Sequence, residues 1–258
     1  MCHRNLPMAH FYNCTKIKQP FLEKEITTPS QAKKHIDKIF PSITTLIGST
    51  IKDPFLDSIH KPRSLVKFAR MSEYDDLNWK DLEQLCYGLV ESPEGHMIPS
   101  AEFGTQVHNS CEKLLNAMKF GDDDYPPSLY DEYAQPFIDW VKENNYKIVG
   151  TEYPIADNLI KTCGTIDVVL KDETRNHIFI CDYKCRKSRQ FYDKDLWQMA
   201  IECEMIRRRG LDYLPSCISV CIDINTGKHH HKKWDEDKMK DAIQIVKYIS
   251  KLYWAIRM

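Results

Sequence analysis

Two acids and an amine carry the most specific chemistry in this sequence. The apolar run Ile178-Phe179-Ile180-Cys181 turns abruptly into Asp182-Tyr183-Lys184. Side chains on a strand alternate between faces, so Asp182 and Lys184 project from the same one. Charges at the end of a buried strand need partners. Asp167 follows Gly164-Thr165-Ile166 in the preceding strand-like segment, and a short hairpin would bring it opposite Asp182. Two adjacent carboxylates raise each other's pKa unless a cation intervenes. Hard oxygen ligands suit Mg²⁺ or Mn²⁺, which keep bound waters and accept phosphate oxygens. Such an ion would orient and acidify a water, while Lys184 either helps to deprotonate it or stabilises charge growing on a phosphate. Phosphodiester hydrolysis is the reaction expected, and a structural Asp–Lys pair is the alternative for those two residues alone.

Other residues join this group less specifically. Glu152, within Gly150-Thr151-Glu152-Tyr153-Pro154, reads either as a further ligand or water holder at the same sheet edge or as an exposed strand glutamate. His108 and Glu112 lie four apart and share a helix face, a spacing that an ordinary surface pair fits as well as a ligand does. Gln198, with Glu202 one turn later, reads as a phosphate or water holder beside Lys184 or as a plain polar helix position. Tyr183, Tyr192 and Trp197, close to Arg186, Lys187 and Arg189, form the aromatic and cationic mixture that single-stranded nucleic acid favours. Core packing is the alternative for Trp197.

The elements that must position these residues follow from hydrophobic period. From Gly104, apolar positions Val107, Cys111, Leu114, Leu115 and Met118 recur at three- and four-residue steps, predicting a helix that Gly121 ends. A second helix is predicted over 128–145, after Pro126-Pro127. Strands follow over 147–155, 162–170 and 177–184, joined by short turns and therefore antiparallel. A helix over 193–209 then crosses over to a strand at 216–224, which should pair in parallel with its predecessor. A closing helix is predicted over 235–256. Residues 43–90 read as short helices broken near Pro54, Pro62 and Gly88, and 92–100 as a turn-rich connection. One domain over 41–258 with an N-terminal extension over 1–40 is the simplest division.

Composition bounds the rest. At 258 residues and 42% hydrophobic, the chain can bury a core. It has no run of 18 apolar residues and no apolar centre in its first twenty, so no membrane contact is expected. Arg4, Lys16 and Lys18, without an acid among the first 22 residues, are faintly compatible with a transit peptide. The expected location is therefore intracellular, cytoplasmic in a phage or bacterial context or mitochondrial if such a peptide is present. Ten scattered cysteines without any CxxC pair read as reduced core thiols, not as disulfides or a zinc site. A net charge of −1 does not by itself mark a nucleic-acid binder.

Taken together, the motifs resemble the RecB-like branch of the PD-(D/E)xK nuclease superfamily, and more closely the mitochondrial genome maintenance exonucleases and related phage nucleases. The likeness rests on Pro41-Ser42-Ile43-Thr44, on Gly104-Thr105-Gln106-Val107-His108 with Glu112, on Gly164-Thr165-Ile166-Asp167, on Asp182-Tyr183-Lys184 and on Gln198, and spans roughly residues 41–225. It implies a restriction-endonuclease-like mixed β-sheet flanked by helices, of core order α-β-β-β-α-β, with an additional helical N-terminal region. It further implies that His108, Asp167, Asp182 and the backbone carbonyl of Tyr183 bind Mg²⁺ or Mn²⁺, that Lys184 is catalytic, and that Glu152 and Gln198 support the site. DNA with free single-stranded ends is the substrate implied, met by Ser42, Thr44, Tyr183, Arg186, Lys187, Arg189 and Trp197, in repair, recombination or replication. A structure-specific or sequence-tolerant endonuclease, or a catalytically silent nucleic-acid-binding module, are the competing functions. Two departures stand out: Glu202 replaces the tyrosine usual four residues after the Gln, and Cys203, Cys217 and Cys221 lack iron–sulfur spacing, so no cluster is expected. No Gly-x-x-x-x-Gly-Lys phosphate loop occurs, so a helicase or recombinase would be a separate partner.

Overall fold

A computed structural model describes residues 11–14, 21–22, 38–50, 89–121, 126–186 and 189–257. Lys187, the basic positions Arg4, Lys16 and Lys18, and the short helices expected beyond residue 50 lie outside the described residues. Three short strands come first: β1 (Phe11–Asn13), β2 (Phe21–Leu22) and β3 (Ile39–Pro41), in a sheet of order β2-β1-β3. Helix α1 (Ile43–Thr50) follows directly. Its start is fixed by Ser42, whose hydroxyl accepts the Thr45 N–H at 3.1 Å and so satisfies a donor the first turn leaves free.

The expected boundary at residue 40 falls inside β3. Phe40 is buried with Cys14, Ala156 and Cys163, and Thr162 Oγ1 donates to the Pro41 carbonyl at 3.0 Å. The segment just before residue 41 is therefore part of the packed unit. The turn-rich connection expected at 92–100 is instead a hairpin, β4 (Leu89–Glu91) with β5 (Met97–Pro99), turning at Gly95 with φ +80°.

Helices α2 (Ser100–Phe120) and α3 (Asp131–Glu143) lead into the central sheet. That sheet is built from β6 (Lys147–Asp157), β7 (Thr162–Asp172) and β8 (His177–Arg186), then, after helix α4 (Asp193–Arg207), β9 (Ser216–Asp223) and β10 (His229–Lys233). Its order is β10-β9-β8-β7-β6. The short turns make β6–β7 and β7–β8 antiparallel, while the α4 crossover makes β8–β9 parallel. The terminal helix α5 (Glu236–Arg257) closes the described chain. The result is a mixed α/β fold with a five-stranded, mostly antiparallel open sheet flanked by helices. The run from Lys228 to Lys233, expected as a solvated face, supplies the edge strand β10, where charge discourages further strand pairing.

Two apolar layers sandwich this sheet. On one face α1, α4 and α5 bury Leu46, Met199, Val246 and Tyr253 against Ile155, Ile166 and Ile180. On the other, α2 and α3 bury Phe103, Val107, Phe137 and Val141 against Val168, Cys181 and Tyr183. The eight described cysteines are free thiols. No helix among the described residues is long and apolar enough to cross a membrane.

Candidate metal centre

Alternation along β8 assigns Ile178 and Ile180 to the α4 face and Phe179, Cys181 and Tyr183 to the α2 face. Asp182 and Lys184 therefore continue the α4 face, and Lys184 Nζ donates to Asp182 Oδ1 at 2.7 Å. The β7–β8 ladder runs from Asp172↔His177 to Val168↔Cys181. One step further Asp167 stands opposite Asp182, where its Oδ2 accepts the Tyr183 N–H at 3.1 Å.

At that same level the alternation of β6 and β7 breaks. Val168 and Leu170 face α2, but Ile166 joins the α4 layer. On β6, Thr151 donates to Asn116 of α2 at 2.9 Å, whereas Tyr153 packs on the α4 side. Between them Glu152 has φ +43°, a left-handed backbone that costs a non-glycine residue about 1–3 kcal/mol and persists only where its surroundings impose it. The pairs Thr151↔Val168 and Tyr153↔Ile166 bracket Glu152 and Asp167. Both carboxylates thus sit at one kink and turn toward α2.

There they meet His108. Its Nε2 lies 3.1 Å from Asp167 Oδ2 and its Nδ1 3.4 Å from Glu152 Oε1. One ligand atom from each of the three lies within 4.8 Å of the others. The histidine that its spacing left open between helix surface and ligand is directed into this pocket, with its ring 4.2 Å from that of Tyr183. The ligand set implied by resemblance is rearranged in the process. Glu152, expected in support, joins His108 and Asp167, while Asp182 stays outside that group because it projects toward α4 and is engaged there by Lys184 and Gln198. The main chain of Tyr183 runs past Asp167 and commits its N–H to it.

Electrostatics follow from this placement. Burial pushes Asp182 up to about 6, against the pull of Lys184, and Asp167 adds to the rise. Burial and the neighbouring Asp167 push Glu152 up to about 7. Burial would raise Asp167 too, but the His108 hydrogen bond and the Lys184 charge outweigh it and hold Asp167 below the usual carboxylate range. For Lys184, burial works downward and loses to Asp182 and Asp167, so its pKa is raised and it is a cation at neutral pH.

A divalent cation fits these residues. Two carboxylates and an imidazole converge, and Glu152 Oε1 is a buried oxygen without a hydrogen-bond partner. Buried acceptors left in that state are costly, and a hard cation is what such oxygens take.

Gln198 enters from α4, where its Nε2 donates to Asp182 Oδ1 at 3.4 Å and to Glu202 Oε1 at 3.2 Å. Glu202, noted from sequence one turn after Gln198 and as a departure from the family's tyrosine, is 2% exposed. Burial, with Asp182 and Asp167 nearby, raises its pKa well above the ordinary value. Its four-residue spacing from Gln198 was the one available signal, and it does not distinguish a buried acid from a solvated one.

The expected nucleic-acid residues divide. Tyr183 is 2% exposed, packed between His108 and Phe137, so its ring offers no stacking surface. Ser42 is buried as the α1 cap. Arg186 makes a two-pronged pair with Asp195 at 2.7 and 2.8 Å and lies over the Tyr192 ring, which ties it to the start of α4. Each of these three side chains is thus engaged within the fold, by core packing, a helix cap and an ion pair. Trp197 is half-buried against the α4-side core. Thr44 and Arg189 remain exposed, the latter 3.9 Å from Asp223. No protein-family model matches the chain, and no curated protein matches it significantly.

Proposed function

We propose that this protein is a Mg²⁺- or Mn²⁺-dependent nuclease that hydrolyses phosphodiester bonds in DNA, acting from free single-stranded ends. The observation that carries the proposal is the convergence of His108, Glu152 and Asp167 at a strained kink, one ladder step from the Asp182–Lys184 pair. A purely structural salt bridge would need neither the left-handed Glu152 nor the partnerless Asp182 oxygen. The exonuclease and DNA assignments come from the likeness of the sequence motifs to those of the RecB-like PD-(D/E)xK nucleases.

In this reading His108, Glu152 and Asp167 hold the ion, and Asp182 is the further carboxylate at its margin. One imidazole among oxygens suits Mn²⁺ at least as well as Mg²⁺. When bound, the ion supplies an acidified water and polarises a phosphate oxygen. Lys184, cationic and with a side chain 36% exposed, can touch that phosphate and stabilise charge developing on it. This favours charge stabilisation over proton abstraction for the amine. Asp182 orients the ammonium, and Gln198 donates to the same Asp182 oxygen. A helicase or recombinase would be a separate partner.

The test follows a 5′- or 3′-labelled single-stranded oligonucleotide with Mg²⁺ or Mn²⁺. Wild type should shorten it, and Asp182→Asn and Lys184→Ala should each lower the rate by about 10²-fold or more. A closed single-stranded circle should resist. Cleavage of the circle would turn the assignment to an endonuclease, and wild-type rates in both variants would remove the site.

A further inference from the structure

Glu202 makes one hydrogen bond among the described residues, from Gln198, and no cation lies within salt-bridge distance of it. A carboxyl group buried to this degree without a charged partner weakens a fold, and such groups concentrate where function requires them. What it does here follows from hydrogen-bond inventory. A carboxamide has two N–H donors and one carbonyl acceptor. Asp182 Oδ1, already bound by Lys184, can only accept, and Glu202 Oε1 accepts whether or not its other oxygen carries a proton. Both donors of Gln198 are therefore committed, one to each acid, and the amide has a single orientation.

We propose that Glu202 is a positioning residue that fixes the Gln198 amide so that its carbonyl oxygen, the one acceptor not turned to an acid, is presented to the reacting groups beside Asp182 and Lys184. This deepens the nuclease reading and rests on it for the reaction, although the orientation itself does not. An acceptor held there receives a hydrogen bond from the attacking water or a sugar hydroxyl. A glutamine at position 202 would offer N–H as well as C=O, so Gln198 could flip and present its NH₂ instead. Isosteric Glu202→Gln thus removes the orientation while keeping the volume.

The experiment has an arm that needs no activity. In protein labelled with ¹⁵N-glutamine and free of metal, the Gln198 side-chain amide, assigned by its loss in Gln198→Met, should exchange its protons with water more slowly than exposed glutamines do. Glu202→Gln should raise that exchange to the exposed level with Tm equal to or above that of wild type. On single-stranded DNA it should lower kcat about tenfold at unchanged KM, and add nothing further in the Gln198→Met background, since coupled residues are not additive. An amide signal unaffected by Glu202→Gln, or kcat losses that multiply in the double variant, would overturn the proposal. A wild type that cleaves nothing removes the nuclease reading, and the amide exchange then decides the Glu202–Gln198 coupling alone.

Discussion

Glu152 combines two costs, a left-handed backbone and a half-buried carboxyl group beside Asp167. Burial raises it to about 7 and Asp182 to about 6, whereas in an unfolded chain both titrate near 4. Between roughly pH 4 and 7 the folded protein holds protons that the unfolded chain has released. Stability contributed by these groups must therefore fall as pH rises through that window. Metal-free Glu152→Gln lacks its share of the decline, so its Tm at about pH 8 should exceed that of wild type and the two should converge below about pH 4. Scanning calorimetry in chelator reads this directly, and a lower Tm for the variant at the alkaline end would count against the buried-acid account. Asp167, whose pKa is lowered, works in the opposite sense and below that window.

Among the elements, α4 matters most to the site because it delivers both Gln198 and Glu202. Its first turn is anchored by Asp195, which accepts the Tyr192 N–H at 3.1 Å and is clamped from β8 by Arg186. Replacing Arg186 with Ala leaves an acid of 8% exposure without its partner, a loss of roughly 1–3 kcal/mol for a charged hydrogen-bonded group. Arg186→Lys should recover only part of this, since an ammonium cannot reproduce the planar fork. Denaturant melts measure the stability, and nuclease assays should show both variants slowed as α4 loosens. Unchanged stability in Arg186→Ala would show that the clamp contributes nothing. The reach of α2 exceeds the stripe read from Val107 onward: Phe103, one turn earlier, is fully buried against Tyr130 and Tyr133, while Met118 at the other end is 36% exposed. Periodicity located the helix, and the docking of α3 decided which turns of it are covered.

At the scale of the whole molecule, the site lies where the side-chain alternation of β6 and β7 shifts between the two apolar layers, with His108 arriving from one layer and Gln198 from the other. An ion bound by His108, Glu152 and Asp167 would tie α2 to β6 and β7. Mn²⁺ at about a hundred times its Kd should stabilise the folded state by about 2.7 kcal/mol, roughly 5–10 °C in Tm for a chain of this size. Asp167→Asn should lose the shift. Thermal melts with and without Mn²⁺ give the answer, and an equal shift in wild type and variant would place the ion elsewhere.

Apart from the edge strand β10, which the sequence reading left as a solvated face, the order of strands and helices from residue 100 onward, the parallel β8–β9 pairing and the nomination of Asp167, Asp182 and Lys184 follow from sequence alone. Period, turn formers and an abrupt switch from apolar to charged residues are local signals, and local signals survive without a fold. Tertiary structure decided the remainder. Glu152 joins His108 and Asp167 because two strands kink at the same level, and Asp182 faces the other helix layer because β8 does not. Tyr183 disappears into the core, Ser42 into a helix cap and Arg186 into a clamp, whereas Glu202 becomes a buried acid. Each of these depends on which neighbour a side chain meets across the sheet, a relation between residues far apart in the chain that no spacing along it can express.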